Sequence, residues 1–130
     1  MMWTSHPVNE IAGTLRAPGD KSCSHRALIL SGLAAGTSEI SGLLEGEDVL
    51  NTGRVMAALG ATVERTGEGA WRVEGVGENG LRTPNVDLDF GNSGTGSRLM
   101  LGVVAGYPVS ARFIGDASLS GRPMGRVLDP

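Results

Sequence analysis

Apolar residues in this chain come in short blocks, most of them closed by glycine, and the spacing inside each block separates helix from strand. Residues 27–35, Ala-Leu-Ile-Leu-Ser-Gly-Leu-Ala-Ala, are apolar on nearly every face of a helix, which predicts burial on most sides and a C-terminal cap at Gly36. Residues 37–44 alternate and predict a strand carrying Ile40 and Leu43, followed by a turn at residues 45–48. Asp48 stands as the cap of a second helix, whose small or apolar positions Val49, Thr52, Met56 and Leu59 recur at helical spacing until Gly60. Residues 61–66 and 71–76 predict two strands turned by Gly67-Glu68-Gly69, with Trp71 in the core or on a sheet face.

The same grammar then starts again. Residues 86–90 predict a strand, residues 91–98 a polar opening to an apolar helix at 99–105 that stops at Gly106, and residues 109–114 a further strand before a loop at 115–121. A short strand is also expected at residues 11–17. Ser22 to Arg26 and Gly94 to Arg98 share a four-residue step from a small polar loop to an arginine ahead of an apolar helix. The fold expected is therefore α/β, built from β-α-β-α-β-β units, one complete and a second begun. A third opening follows at residues 118–126, where Pro123 suits a first helical turn. The expected division is a tail and strand at 1–17 and the units at 18–130, in a piece of a longer protein.

Composition narrows the classes. With 130 residues, 40% apolar and 19% charged, the chain is one globular domain in size. Eleven Lys and Arg against 14 Asp and Glu give a formal charge of -3, which argues against a general binder of nucleic acid or of acidic membranes. Cys23 is alone, so no internal disulfide can form, and no signal peptide or membrane-crossing stretch is visible; the compartment expected is the cytoplasm.

The candidate chemistry sits where helices begin. Pro18-Gly19 makes a turn, Asp20 or Ser22 can cap the helix behind it, and the free N–H groups of its first turn attract anions. Lys21 is the only lysine, and Ser22 and Arg26 share a helix face. Lys21, Arg26, Arg98, Arg122 and Arg126 are five of the eleven cations, and all fall at three loop-to-helix junctions. Brought to one edge, they would give an acidic chain one positive mouth for small polyanions; otherwise each is a separate surface residue. Gly94 and Gly96 suit a loop approached closely by a ligand or by another backbone, but neither a Walker loop nor a G-x-G-x-x-G fingerprint is present. Cys23 fits a small core residue better than a nucleophile, and His25 is either a general base or a packed, hydrogen-bonded ring. Asp48, Asp87, Asp89 and Asp116 lack metal-ligand spacing and read as caps and turns.

Three ordered stretches, Pro18-Gly19-Asp20-Lys21-Ser22-Cys23-Ser24-His25-Arg26-Ala27, Gly91 to Arg98, and Gly115-Asp116-Ala117-Ser118-Leu119-Ser120-Gly121-Arg122-Pro123-Met124-Gly125-Arg126, resemble the 5-enolpyruvylshikimate-3-phosphate synthases. That resemblance implies transfer of the enolpyruvyl group of phosphoenolpyruvate to shikimate 3-phosphate with release of phosphate, without metal or organic cofactor. It implies an inside-out α/β barrel fold of two domains, three β-α-β-α-β-β units each, with residues 1–17 crossing to the other domain. Carried over by position, Lys21 is catalytic and touches both substrates, Ser22 and Arg26 hold shikimate 3-phosphate, and Gly94 and Arg122 border the phosphoenolpyruvate site, which glyphosate also occupies. Arg98 supports its loop. Residues 45–53 and 115–130 resemble the less glyphosate-sensitive class, although tolerant members often carry Ala where this chain has Gly94. The partners implied are the two substrates and the C-terminal part of the same enzyme, with no nucleic acid and no membrane. A competing expectation is a non-catalytic polyanion-binding or complementing fragment.

Overall fold

The computed structural model describes residues 1–129; Pro130, the last position of the unit expected over 18–130, lies outside the described residues. Helix α1 (Lys21–Leu33) begins at Asp20, whose side chain accepts the Cys23 N–H. Its buried positions Ser24, His25, Leu28, Ile29 and Gly32 form one stripe, while Leu30 is 65% exposed. Burial on most sides is thus corrected to burial on one face, because α1 is covered only by α2 (Glu47–Ala58) beside it and the sheet beneath. The helix also ends earlier than Gly36: Ala34 is the C-cap, and Gly36 lies inside strand β1 (Ala35–Ser41).

The α2 cap is Gly46, whose carbonyl accepts the Val49 and Leu50 N–H groups at 2.9 and 3.0 Å, rather than Asp48. Asp48 sits inside the first turn instead, where a carboxylate favours the helix dipole and keeps its oxygens for other partners. Strands β2 (Thr62–Gly67) and β3 (Ala70–Val76) form the expected hairpin, and β3 is central in the order β1-β3-β2. Both pairings are antiparallel, with Val63 opposite Val73 and Ile40 opposite Trp71. These apolar pairs face the helices; on the other face Glu39 and Arg72, opposite one another, pair at 2.8 Å in solvent.

Strand β4 (Leu88–Asp89), helix α3 (Gly94–Val104) and strand β5 (Phe113–Ile114) make a parallel β-α-β crossover. The strands expected at 86–90 and 109–114 shrink to two residues each. Val109 and Ser110 give their N–H groups to Tyr107 O and Thr83 Oγ1, so they are lost to the ladder. Two short helices follow, α4 (Ala117–Ser120), capped by Asp116, and α5 (Gly125–Leu128). The segment at 11–17 pairs with no strand among the described residues and stays exposed outside the sheets. Among the described residues no helix is long and apolar enough to cross a membrane.

One core joins the two halves: Ile29, Val55, Met56 and Leu59 pack with Leu88, Phe90 and Met100, whereas Leu28, Leu43, Val49 and Val73 form a second cluster under the sheet. A clamp holds the hairpin to this body. Glu45 accepts two bonds from Arg65 at 2.7 and 2.9 Å, one from Trp71 Nε1 at 2.9 Å and one from the Gly69 N–H at 3.2 Å. The Arg65 bonds, with those of Trp71 and Gly69, hold its carboxyl down at about 2, below the ordinary 4.5. Because the folded value is the lower one, the clamp stabilises fully above about pH 5 and is lost as pH falls toward 2. The melting temperature of Glu45→Gln should therefore lie below that of the parent at pH 7, and the two should converge near pH 2.

Candidate anion-binding site at three helix openings

Each junction is built by local capping. At the first, Asp20 Oδ1 accepts the Cys23 N–H at 2.6 Å, and that bond, ahead of Arg26's charge, keeps its carboxyl below the usual range. Ser24 Oγ donates to Asp20 O at 2.7 Å and accepts the Leu44 N–H at 2.9 Å, tying the opening of α1 to the chain after β1. The side chains left pointing outward are Lys21, Ser22, Cys23 and Arg26. Arg26 Nη1 donates to Ser22 Oγ at 2.7 Å and Nη2 lies 3.3 Å from Cys23 Sγ, so hydroxyl, thiol and guanidinium share one face, as the four-residue step predicts. Cys23 is exposed, which corrects its reading as a core residue: it lies on the solvent side of the stripe that buries Ser24 and His25.

Lys21 is half exposed and forms an ion pair with Asp48 in the first turn of α2. Asp48, expected as a cap, is instead the partner of Lys21 across 27 positions. His25 is buried, its Nδ1 2.8 Å from Thr52 Oγ1, so of its two expected roles the packed, hydrogen-bonded ring is the one found.

At the second junction Ser93 caps α3 through a 3.1 Å bond from the Gly96 N–H. Arg98 Nη1 donates to Gly94 O at 3.1 Å and Nη2 to Pro123 O at 3.0 Å, bridging the second junction to the third. Asn92 receives Arg122 at its Oδ1 and donates to Asp116 Oδ2 at 2.7 Å; Asp116 in turn caps α4, and that backbone bond first, then Asn92, lowers its pKa. A Cβ placed on the buried Gly94 would stand 2.7 Å from Arg98 Nη1 and 2.9 Å from Arg122 Nη1, so both guanidinium groups close over one bare backbone position.

Helix α2 connects the first junction to the other two. Asp48 holds Lys21, while Asn51, one turn on, lies so near Gly91 that a Cβ there would sit 2.8 Å from its Nδ2. Lys21, Arg98 and Arg122 are thereby linked through a continuous set of neighbours. Arg26 bonds only within α1, and Arg126 is exposed with no ion pair to the others among the described residues. A hollow of about 170 Å³ lies beside Arg122, lined by Phe90, Ser97, Gly115, Leu119 and Met124. Among the described residues no three His, Cys, Asp or Glu gather as a metal-binding group.

Known proteins resemble this chain over most of its length. Residues 5–130 match the family model described as EPSP synthase (3-phosphoshikimate 1-carboxyvinyltransferase). A 3-phosphoshikimate 1-carboxyvinyltransferase of Hyphomonas neptunium is 67% identical over all of this chain and 30% of its own length, and one of Afipia carboxidovorans is 68% identical over 92% of this chain and 27% of its own. The solved EPSP synthase of Acinetobacter baumannii superposes with a TM-score of 0.82 at 42% identity, over 88% of this chain and 26% of that one. The chain thus spans about 30% of the length of these relatives. The chain belongs to the EPSP synthase family.

Proposed function

We propose that this chain forms part of the substrate site of an enzyme that moves the enolpyruvyl group of phosphoenolpyruvate to shikimate 3-phosphate and releases phosphate, a step toward aromatic amino acids. The observation that carries the reading is the union of Lys21, Arg98 and Arg122, through α2 and the Gly91–Gly94 loop, on a chain whose net charge is -3. In this reading Lys21 is catalytic and reaches both substrates, Ser22 and Arg26 hold shikimate 3-phosphate, and Gly94 and Arg122 border phosphoenolpyruvate. Cations and open peptide N–H groups recognise phosphate by charge and by paired donors, which suits two phosphorylated acids. No role in this reading calls for a metal or an organic cofactor. Glyphosate, an anion of similar size to phosphoenolpyruvate, would share the Gly94 side, and the unpaired Cys23 fits the cytoplasm.

Phosphate release from the two substrates by the full-length protein tests the assignment; its absence from an otherwise folded sample would sink it. A second reading, in which the chain is a non-catalytic polyanion-binding or complementing piece, rests on the same exposed Lys21, Ser22 and Arg26 without turnover. Mixing it with the C-terminal remainder separates the two: recovered turnover points to complementation, and tight binding of shikimate 3-phosphate by the piece alone points to a module.

Gly94→Ala gives a local test. The added methyl must push aside the ends of two flexible side chains rather than backbone, so the fold should survive with a nearly unchanged melting temperature. The displaced Arg98 and Arg122 should weaken phosphoenolpyruvate and glyphosate, raising the KM and the inhibition constant by about tenfold or more.

A further inference from the structure

Every buried polar side chain among the described residues, Ser24, His25, Asn51, Thr52, Ser93 and Ser97, lies at or near the opening of α1, α2 or α3. They abut both apolar cores, which reach these openings at Val49 and Phe90, and form a polar seam beneath the candidate site. His25 is its largest member. The ring is fully buried, Nδ1 meets Thr52 Oγ1 at 2.8 Å, and Nε2 has no hydrogen-bond partner among the described residues. Leaving a buried nitrogen unpaired costs stability that an apolar side chain of the same bulk would keep.

The geometry states what the ring does instead. Lys21 and His25 are one turn apart on α1, as Asp48 and Thr52 are on α2, so two cross-links join the helices like successive rungs. The upper rung, Lys21 to Asp48, is in solvent; the lower one is dry. Thr52 Oγ1 also lies 3.4 Å from Asp48 O; donating there it accepts from Nδ1–H, and donating to Nδ1 it closes the same rung, so either tautomer of a neutral imidazole makes the link. Burial first, and then the Lys21 charge, keep that ring unprotonated against the opposing pull of Asp48. The same hydroxyl would stand 2.9 Å from a Cβ on Gly96, so α3 is seated on the lower rung as well.

We propose that His25 is a positioning residue: through the Thr52 hydroxyl its imidazole fixes the spacing between the openings of α1 and α2, and so where Lys21 and Arg26 present their charges. This rests on the anion-binding reading of Lys21, Ser22 and Arg26 above. A salt bridge at the surface could not set the spacing alone, since long exposed side chains accommodate many geometries. A rigid ring buried one turn below can.

The test uses the full-length protein and the variants His25→Asn, His25→Leu and Thr52→Val, with melting curves to confirm folding. Asn can place an amide N–H or C=O where Nδ1 stands, Leu fills the volume without a polar atom, and Val keeps the shape of Thr without its hydroxyl. His25→Leu and Thr52→Val should each raise the KM for shikimate 3-phosphate about tenfold and lower kcat as Lys21 shifts, and His25→Asn should stay within about threefold of the parent in both. The double variant should be no worse than either single one. A folded His25→Leu or Thr52→Val protein with the parent KM, equal losses in His25→Asn and His25→Leu, or additive losses in the double variant would each overturn the proposal. Should His25→Leu not fold, Thr52→Val and His25→Asn still decide. Absence of turnover in the parent would instead count against enolpyruvyl transfer, and calorimetric titration with inorganic phosphate then carries the comparison. Parent-like affinity in Thr52→Val refutes the positioning role, and about tenfold weaker binding, retained in His25→Asn, supports it.

Discussion

Replacing Lys21 by Ala in the full-length protein is expected to slow phosphate release by about a hundredfold or more while the protein stays folded. The lysine sits at the first helical position of α1, half exposed, with its ammonium paired to Asp48 and no role in either core cluster. Its removal breaks one solvent-exposed ion pair, a small loss to the fold because water screens such pairs and competes for both partners. The loss to the site is larger. No second lysine exists in the chain, Arg26 is bonded within its own helix, and Arg98 and Arg122 are engaged at Gly94, Pro123 and Asn92. Asp48 would also be left as an uncompensated negative charge where two anions must bind. Lys21→Arg should recover only part of the rate, since a planar guanidinium is bulkier and forks its donors instead of concentrating charge at one nitrogen. Steady-state phosphate release, alongside a melting curve for each variant, checks this; a Lys21→Ala protein within threefold of the parent rate would remove Lys21 from the chemistry.

The second large effect is on stability. Phe90→Ala should destabilise the protein by about 3–5 kcal/mol, read as a fall in the denaturation midpoint. Phe90 is fully buried and stacks on Phe113 with ring centroids 5.0 Å apart. Its backbone holds both neighbours of the site, since its N–H donates to Ile114 O at 3.0 Å and its carbonyl accepts the Ser93 N–H at 2.8 Å. The ring also supports Gly96, where a Cβ would lie 3.4 Å from Cδ1. Truncation leaves a cavity between β4, β5 and the opening of α3, which a rigid interior fills only partly. Phe90→Leu keeps most of the volume and should cost about 1–2 kcal/mol. Equal stability of the Ala variant and the parent would mean that Phe90 is not the floor of this loop.

The two effects separate because the residues answer to different physics. Lys21 carries charge on a flexible stem over an existing surface, and the body beneath does not need it. Phe90 carries shape beneath a loop that Asn51 and Thr52 touch only with polar atoms. Between them lies the polar seam of α1, α2 and α3, where His25 and Thr52 are neither surface charge nor core.

By itself the sequence determined the junctions: a turn, a cap and a cation ahead of an apolar helix recur at Asp20–Arg26 and Ser93–Arg98, because capping is settled by residues three or four apart. It determined the β2–β3 hairpin for the same reason, two alternating runs around Gly67-Glu68-Gly69. It did not determine which side of α1 faces water, since a helix apolar all round carries no phase, and Leu30 is exposed where Leu28 is not. Nor did it reveal that Asp48 answers Lys21 across 27 positions, or that Thr52 meets His25 across the same interval. A carboxylate in a first turn looks alike whether it caps or pairs, and only the docking of α1 against α2 chose between them. The β4–β5 crossover likewise needed the folded chain, because Leu88 and Phe113 become neighbours only once α3 has packed across them. Contacts local in sequence could be read in advance; which residues of distant helix openings become neighbours, as Lys21 and Asp48 do, is a property of packing.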